Sequence, residues 1–293
     1  MRNDAGVADA DAGPLETIRR LLVERQGLDL SRYKATYLRR RLLVRVRALR
    51  LDGLGSYARH LKRHPDEIGP LLRALSIQVT GFFRNRSCFE FLEERVVPDL
   101  LGRSAGKPVA VWSAGCATGQ EAWSLAAIFA GAAGSRPERR VRITATDLDA
   151  AALERARRAL YPATSLLADA PAAAARHFET FPDGTAGPDL TLRRMVSFQR
   201  ESLLDPAPRR DLDLILCRNV LIYFGLDQQE AILSRFADAL APSGYLVLGR
   251  VERLLGAVRS RFEVVSARDR IYRTPPAETA VLPPAPPRGT ACA

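Results

Sequence analysis

The sequence is poor in the residues from which most metal and acid–base sites are built. Its 293 residues include only three histidines (His60, His64, His177) and four cysteines (Cys88, Cys116, Cys217, Cys292). The cysteines form no CxxC pair and have no histidine nearby, so neither a disulfide framework nor a metal site is expected. Lysine is almost missing, with Lys34, Lys62 and Lys107 alone. No uncharged run of 18 apolar residues occurs, so no membrane-spanning helix and no membrane insertion are expected. The first residues, MRNDAGVADADAG, lack a basic start followed by an apolar stretch. A secretory leader is therefore not expected, and the cytoplasm is the expected compartment.

What the chain does have is arginine. The formal net charge is +11, and it is unevenly placed. Residues 15–86 hold 17 basic and 6 acidic residues, whereas residues 87–293 hold 26 and 24. The first quarter thus carries the whole excess. Such a balance permits nucleic acid, an anionic membrane or an acidic protein as partner. Coding bias accounts for arginine over lysine, but not for the clustering.

Hydrophobic residues make up 47% and charged residues 26%, a globular composition with enough length for a sizeable core. Residues 1–14 are small and acidic and read as a disordered lead-in. Residues 15–86 read as an all-helical basic domain. Its second helix, from Ser31 or Tyr33 to Leu51, has the apolar stripe Leu38, Leu42, Val46 and Leu49. Arg39, Arg40, Arg41, Arg45, Arg47 and Arg50 fan around the other faces. Further helices are expected over Ser56–Arg63 and Asp66–Leu75. Residues 87–107 read as a linker helix (87–101) and a loop.

From residue 108 to 274 the pattern alternates. Strands are expected at 108–115, 140–149, 195–199, 212–217 and 245–249, with helices over Gln120–Ala130, Ala150–Leu160 and Asp227–Leu240. A closing hairpin is expected from 262–265 and 270–273. This alternation implies an α/β fold with a doubly wound sheet. It breaks at 166–194, where FETFPDG and DLTLRRM read as a small β insertion. Residues 275–293 are Pro-rich and read as a disordered tail.

Four local motifs carry chemistry. Val111-Trp112-Ser113-Ala114-Gly115-Cys116-Ala117-Thr118-Gly119-Gln120-Glu121 is a strand, a small-residue turn and a helix start. Its glycines admit a ligand to the backbone, and the helix N-terminus favours a polar group. Asp147 ends the second strand, where an acid can accept hydrogen bonds from a ribose diol. Cys217-Arg218-Asn219-Val220-Leu221-Ile222-Tyr223-Phe224 ends a central strand and faces the crevice of a doubly wound sheet. Thr80-Gly81-Phe82-Phe83-Arg84 places an arginine where it could clamp a carboxylate. Taken singly, each is also compatible with tight packing, a helix cap or a turn.

In chain order, as basic helices followed by the motifs at 80–84, 111–121, 147 and 217–224, these features resemble the CheR family of chemotaxis-receptor methyltransferases over roughly residues 15–274. The resemblance implies a Rossmann-like methyltransferase domain with a β-subdomain at 166–194, preceded by an all-α domain. It implies S-adenosyl-L-methionine as cofactor, S-adenosyl-L-homocysteine as product, and glutamate side chains of methyl-accepting chemotaxis receptors as acceptors. The cofactor residues it implies are Gln78, Thr80, Arg84, Gly115, Glu121, Asp147, Ser202, Leu203, Asn219 and Val220, with Arg84 near the methionine carboxylate. Arg84, Asn219 and Tyr223 are implied at the reacting end. The arginine fan of the second helix is expected to dock acidic receptor helices, and the chain is expected to act as a monomer without nucleic acid. The sequence departs from the family pattern at Gln78, Asn85, Gln120, Ser202 and Arg250-Val251. A glutamate acceptor is already ionised at neutral pH and needs no general base, in keeping with the absence of histidine from the motifs. Two other readings are a non-catalytic S-adenosylmethionine-binding signalling module and a nucleic-acid methyltransferase.

Overall fold

A computed structural model describes residues 4–26, 30–75, 80–104, 106–167, 170–205 and 208–277. Gln78 and the tail from residue 278 lie outside the described residues. The N-terminal part contains α1 (Asp4–Gln26), α2 (Ala35–Ala48), α3 (Leu54–Arg63) and α4 (Ile68–Leu75), the last entered through a 3-10 turn at Pro65–Glu67. Helix α1 covers most of the stretch expected to be a disordered lead-in, and this corrects that expectation. The cause is local. Alanine recurs through this stretch and is a strong helix former.

The expected stripe of α2 is inward. Leu38, Leu42 and Val46 are buried with Ile18 and Leu22 of α1, Leu61 of α3 and Leu71 of α4. Fully burying each such side chain stabilises by roughly 1.5–3 kcal/mol. One acid lies inside this core. Glu67 is 5% exposed and accepts from Arg45 Nε at 2.7 Å, Arg45 Nη2 at 3.0 Å and the Tyr57 hydroxyl at 2.9 Å. This corrects the expectation for Arg45. A buried carboxylate requires a paired cation, so this guanidinium is engaged within the domain rather than at a docking face. Arg41 Nε likewise donates to the Ala74 carbonyl. Arg40, Arg47 and Arg50 are exposed.

The linker contains α5 (Arg86–Phe91) and α6 (Val97–Arg103), joined by a π turn at Leu92–Val96. Pro98 lacks the N–H that would continue the regular ladder there. The α/β part follows as β1 (Val109–Ala114), α7 (Gln120–Ala133), α8 (Pro137–Arg140), β2 (Val141–Asp147) and α9 (Ala150–Arg158). Next comes a small unit with β3 (Tyr161–Pro162), α10 (Ala163–Leu167), α11 (Ala172–Ala175), β4 (Phe178–Thr180), β5 (Thr185–Pro188) and α12 (Leu190–Met195). The chain closes with β6 (Val196–Arg200), β7 (Leu212–Cys217), α13 (Leu226–Ala239), β8 (Leu240–Leu248), β9 (Glu263–Ser266) and β10 (Ile271–Arg273).

The main sheet has the order β6-β2-β1-β7-β8-β10-β9. Its first five strands are parallel, and β10 and β9 are antiparallel additions. Both faces are covered. Val109 and Val111 pack on one side with Phe129, Ile143 and Leu214, while Trp112 and Ala114 pack on the other with Ile215, Leu233 and Phe236. This explains why the strands read as continuous apolar runs.

The inserted unit is a three-stranded antiparallel sheet, β3-β5-β4, that starts at Tyr161. DLTLRRM is not a strand, which corrects the β reading of that segment. Asp189 caps a helix by accepting from Leu192 N at 2.8 Å, and Leu192 and Met195, three apart, are buried together.

The two parts are joined beside the motif at 217–224 by a short backbone pairing. Tyr33 bridges Phe224, Lys34 N donates to the Tyr223 carbonyl at 3.1 Å, and Lys34 Nζ donates to the Ile222 carbonyl at 3.0 Å. The rings of Tyr37 and Tyr223 lie 4.6 Å apart.

Removing the buried acid tests the packing of the helical domain. Glu67→Ala strands Arg45 and the Tyr57 hydroxyl, and should lower unfolding free energy by about 2–3 kcal/mol in urea titration. A loss below about 0.5 kcal/mol, the level of an ordinary surface change, contradicts this account.

Candidate active site

The sheet order reverses between β1 and β7, and a cavity of about 310 Å³ opens over the carboxyl ends of β1, β2 and β7. Its floor is the turn after β1. Gly115 has φ +82° and Gly119, which caps α7, has φ +93°. A Cβ on Gly115 would lie 2.5 Å from Val220 Cγ2, so the turn and the motif at 217–224 pack closely only because that side chain is missing.

Asp147 organises the same turn. Its Oδ2 accepts from Ala117 N at 2.8 Å and its Oδ1 from Asp149 N at 2.9 Å. Burial pushes its carboxyl up, while the Asp149 and Ala117 amides pull it back. Glu121, in the first turn of α7, accepts from Ser113 Oγ at 2.9 Å and from Arg218 Nη1 at 3.4 Å. Burial pushes this carboxyl up as well, opposed by Arg218 and Ser113. Arg218 Nη2 donates to the Arg84 carbonyl at 2.7 Å, and its guanidinium lies 5.5 Å from the Phe89 ring centre. Arg218 Nε is buried and has no hydrogen-bond partner among the described residues.

The motif at 217–224 is held by an acid from elsewhere in the chain. Glu252, 4% exposed, accepts through Oε1 from Val220 N at 2.9 Å and Leu221 N at 2.7 Å. Its Oε2 accepts from Asn219 N at 2.9 Å and Gly249 N at 2.6 Å. Asn219 is thereby kept at φ +61°, a left-handed conformation that asparagine tolerates. A Cβ on Gly249 would lie 2.8 Å from Asn219 N, which explains a glycine there.

The sequence-predicted residues Thr80, Arg84, Gly115, Glu121, Asp147, Ser202, Leu203, Asn219, Val220 and Tyr223 all line this one cavity. Ser202 and Leu203 are set by Arg235, whose guanidinium donates to the Leu203 and Leu204 carbonyls at 2.8 and 2.9 Å. Gln120 turns away from the cavity, its Oε1 accepting from Thr118 Oγ1 at 2.7 Å. The departures at Arg250 and Val251 also lie outside the lining. Arg250 Nη2 donates to Ser87 Oγ, and Val251 is 74% exposed. None of the six arginines of the docking fan lines the cavity.

Reading the sequence missed Tyr33, Tyr37, Arg218 and Glu252 as site residues. The tyrosines enter the cavity wall from the helical domain. Burial, with the Asp147 charge adding to it, pushes the Tyr33 hydroxyl up to about 12. Arg218 was legible only as part of a motif, and Glu252 gave no local signal, because its partners lie some thirty residues away.

The model for the CheR methyltransferase SAM-binding domain matches residues 78–271, and that for the CheR all-alpha domain matches residues 14–76. The chain belongs to the CheR methyltransferase family. Its α/β part is the S-adenosylmethionine-binding domain of that family. A chemotaxis protein methyltransferase of Listeria monocytogenes is 35% identical over 230 residues, 78% of this chain and 86% of that relative. Chemotaxis protein methyltransferase 2 of Pseudomonas aeruginosa is 34% identical over 251 residues, 83% of this chain and 87% of the relative. An uncharacterized 104.1 kDa protein of Rhodobacter capsulatus is 37% identical over 245 residues, and there the chain spans only 25% of the relative's length.

The donor set of this CheR-family cavity fits the cofactor. Asp147 is an acceptor-only group at the end of β2, suited to a ribose diol. Arg84 suits a carboxylate, and Tyr33, Leu203 and Val220 supply apolar surface for a base. Glu121, Asp147 and Asp149 suit a cationic ligand.

The bracket made by Glu252 is testable apart from catalysis. Glu252→Ala should speed amide hydrogen exchange at Asn219–Leu221 and weaken S-adenosylmethionine binding by about tenfold or more in calorimetry, a factor equivalent to about 1.4 kcal/mol. Unchanged exchange at these amides would show that the bracket does not hold the loop.

Proposed function

We propose that this chain transfers the methyl group of S-adenosylmethionine to glutamate side chains of methyl-accepting chemotaxis receptors, as a cytoplasmic monomer. The observation that carries the reading is where the cofactor cavity meets the basic domain. Tyr37 and Leu38 of α2 form part of its wall, and the Tyr37 ring packs tilted against that of Tyr223. Burial pushes the Tyr223 hydroxyl up, while the charges of Arg41, Arg84 and Arg40 pull it back. Arg40, Arg41 and Arg84 therefore lie near Tyr223, beside a cavity whose lining includes the carboxylates of Glu121, Asp147 and Asp149 along with Arg218. An acidic acceptor segment is drawn to the rim, and a cationic cofactor to the interior.

When bound, S-adenosylmethionine supplies a methyl group on a sulfonium, an electrophile that a carboxylate can accept without prior deprotonation. The protein's share is then placement. Asp147 and Arg84 orient the two ends of the cofactor, and the Glu252 bracket holds Asn219 and Val220 at the reacting side. Tyr33, Tyr37 and Tyr223 narrow the opening and exclude water. Among the described residues no histidine lines the cavity, in keeping with an acceptor that needs no base.

The product class is tested by its chemistry. After transfer from radiolabelled cofactor to receptor-containing membranes, alkali should release the label as volatile methanol, because a glutamate methyl ester hydrolyses. Label that resists alkali, or that appears on added RNA or DNA, contradicts the reading. Asp147→Asn should weaken cofactor binding by about tenfold, the size expected for an impaired charged hydrogen bond. Arg40→Glu with Arg47→Glu should raise the receptor KM by about tenfold at low salt, leave cofactor Kd unchanged, and lose its effect as salt screens the rim.

A further inference from the structure

A second cavity, of about 530 Å³, lies at the far edge of the main sheet, between the loop after β8 and the β9–β10 pair. Its floor is apolar. Leu254, Phe262 and Tyr272 are buried there, and Val264 of β9 pairs with Tyr272 of β10, so both side chains face it. Its rim is basic, with Arg253, Arg259 and Arg270 among the lining residues. Residues 250–273 carry seven arginines and three acids. Two of those acids, Glu252 and Asp269, are buried and engaged by protein donors. The near-neutral balance of residues 87–293 thus conceals a second basic surface.

Glu263, the third acid, is exposed on β9, while two acids of α13 are occupied. Glu230 accepts from Ala257 N at 3.2 Å, and Asp238 pairs with Arg261 at 2.8 Å. Arg253 and Arg259 are exposed, and their side chains make no hydrogen bond or ion pair among the described residues. Beside them β9 ends the sheet with its outer edge unpaired among the described residues, and Val264 is 63% exposed. An unpaired strand edge offers a row of backbone donors and acceptors to an incoming chain.

From these features together we infer that the β9 edge is a docking site for an extended acidic peptide segment that carries an apolar anchor residue. The segment adds antiparallel or parallel to β9, inserts the anchor over Phe262 and Tyr272, and places its carboxylates against Arg253 and Arg259. Charge complementarity selects an acidic partner. The unpaired edge selects a polypeptide over a lipid surface or a nucleic acid, since neither of those uses strand pairing. This site is separate from the cofactor cavity and does not depend on what is methylated.

The test uses a displayed library of random dodecapeptides, selected on the full chain with S-adenosylhomocysteine present. Selected sequences should alternate acidic and apolar residues, and their fluorescence anisotropy titrations should weaken by about tenfold or more on the Arg253→Glu, Arg259→Glu variant, while Arg40→Glu with Arg47→Glu changes them less than about twofold. Peptide binding should also slow amide exchange in β9. Phosphatidylserine vesicles and a duplex DNA 20-mer serve as separate arms. No acidic enrichment, binding insensitive to Arg253 and Arg259, unchanged β9 exchange, or retention by vesicles or DNA that alone depends on these arginines would each overturn the inference. The side chains of the two arginines make no hydrogen bond or ion pair among the described residues, so circular dichroism of the variant should match that of the parent chain.

Discussion

One buried carboxylate sets the geometry on which the cofactor cavity depends. Glu252 gathers four backbone N–H groups, three from consecutive residues after β7 and one from the end of β8. Loops cannot ordinarily be buried, because their backbone donors go unsatisfied. Here a single side chain satisfies them, so the loop bearing Asn219 and Val220 can lie against Gly115 without water. The arrangement also links the two central strands at their carboxyl ends, where the crevice of the sheet forms.

Arginine serves three physical purposes in this chain. Arg45 neutralises a buried acid in the helical core, and Arg218 crosses the cavity floor to tie Glu121 to the Arg84 backbone. Arg209 forms a bidentate pair with Glu201, at 2.5 and 2.7 Å, while lying over Trp112. The planar, always-charged guanidinium suits such sites better than an ammonium group, because it can bond in a fork and stack at once. Only the remaining exposed arginines are available to partners. A count of net charge therefore says where basic residues cluster, but not which of them are surface.

The parts of the fold that were legible in the sequence are those set by local pattern. The apolar runs of β1, β2 and β7, the stripe of α2 and the capping glycine of α7 each follow from spacing within a dozen residues. DLTLRRM misled because its apolar residues also alternate, and only Asp189 as a cap resolves it as a helix. The site was legible where a motif supplies the group itself, as with Asp147 and Glu121. It was illegible where the group arrives from a distance. Glu67 lies 22 residues from Arg45, and Glu252 lies 31 to 33 residues from the amides it holds. Tyr33 and Tyr37 enter the cavity wall from another part of the chain, and no local pattern predicts that meeting.

The pairing of Arg32–Lys34 with residues 222–225 bears on how such proteins can be recombined. Tyr33 and Phe224 share a bridge, Gly225 N reaches the Arg32 carbonyl, and Tyr37 supports Tyr223, so the cofactor cavity has one wall encoded in each half of the chain. The boundary suggested by charge and by helix content is thus not a seam along which the molecule can be cut. A helical domain borrowed from a relative would bring its own tyrosines and its own strap. Helix α2, proposed to meet the acceptor, also carries part of the cofactor pocket, so a change in one is a change in the other.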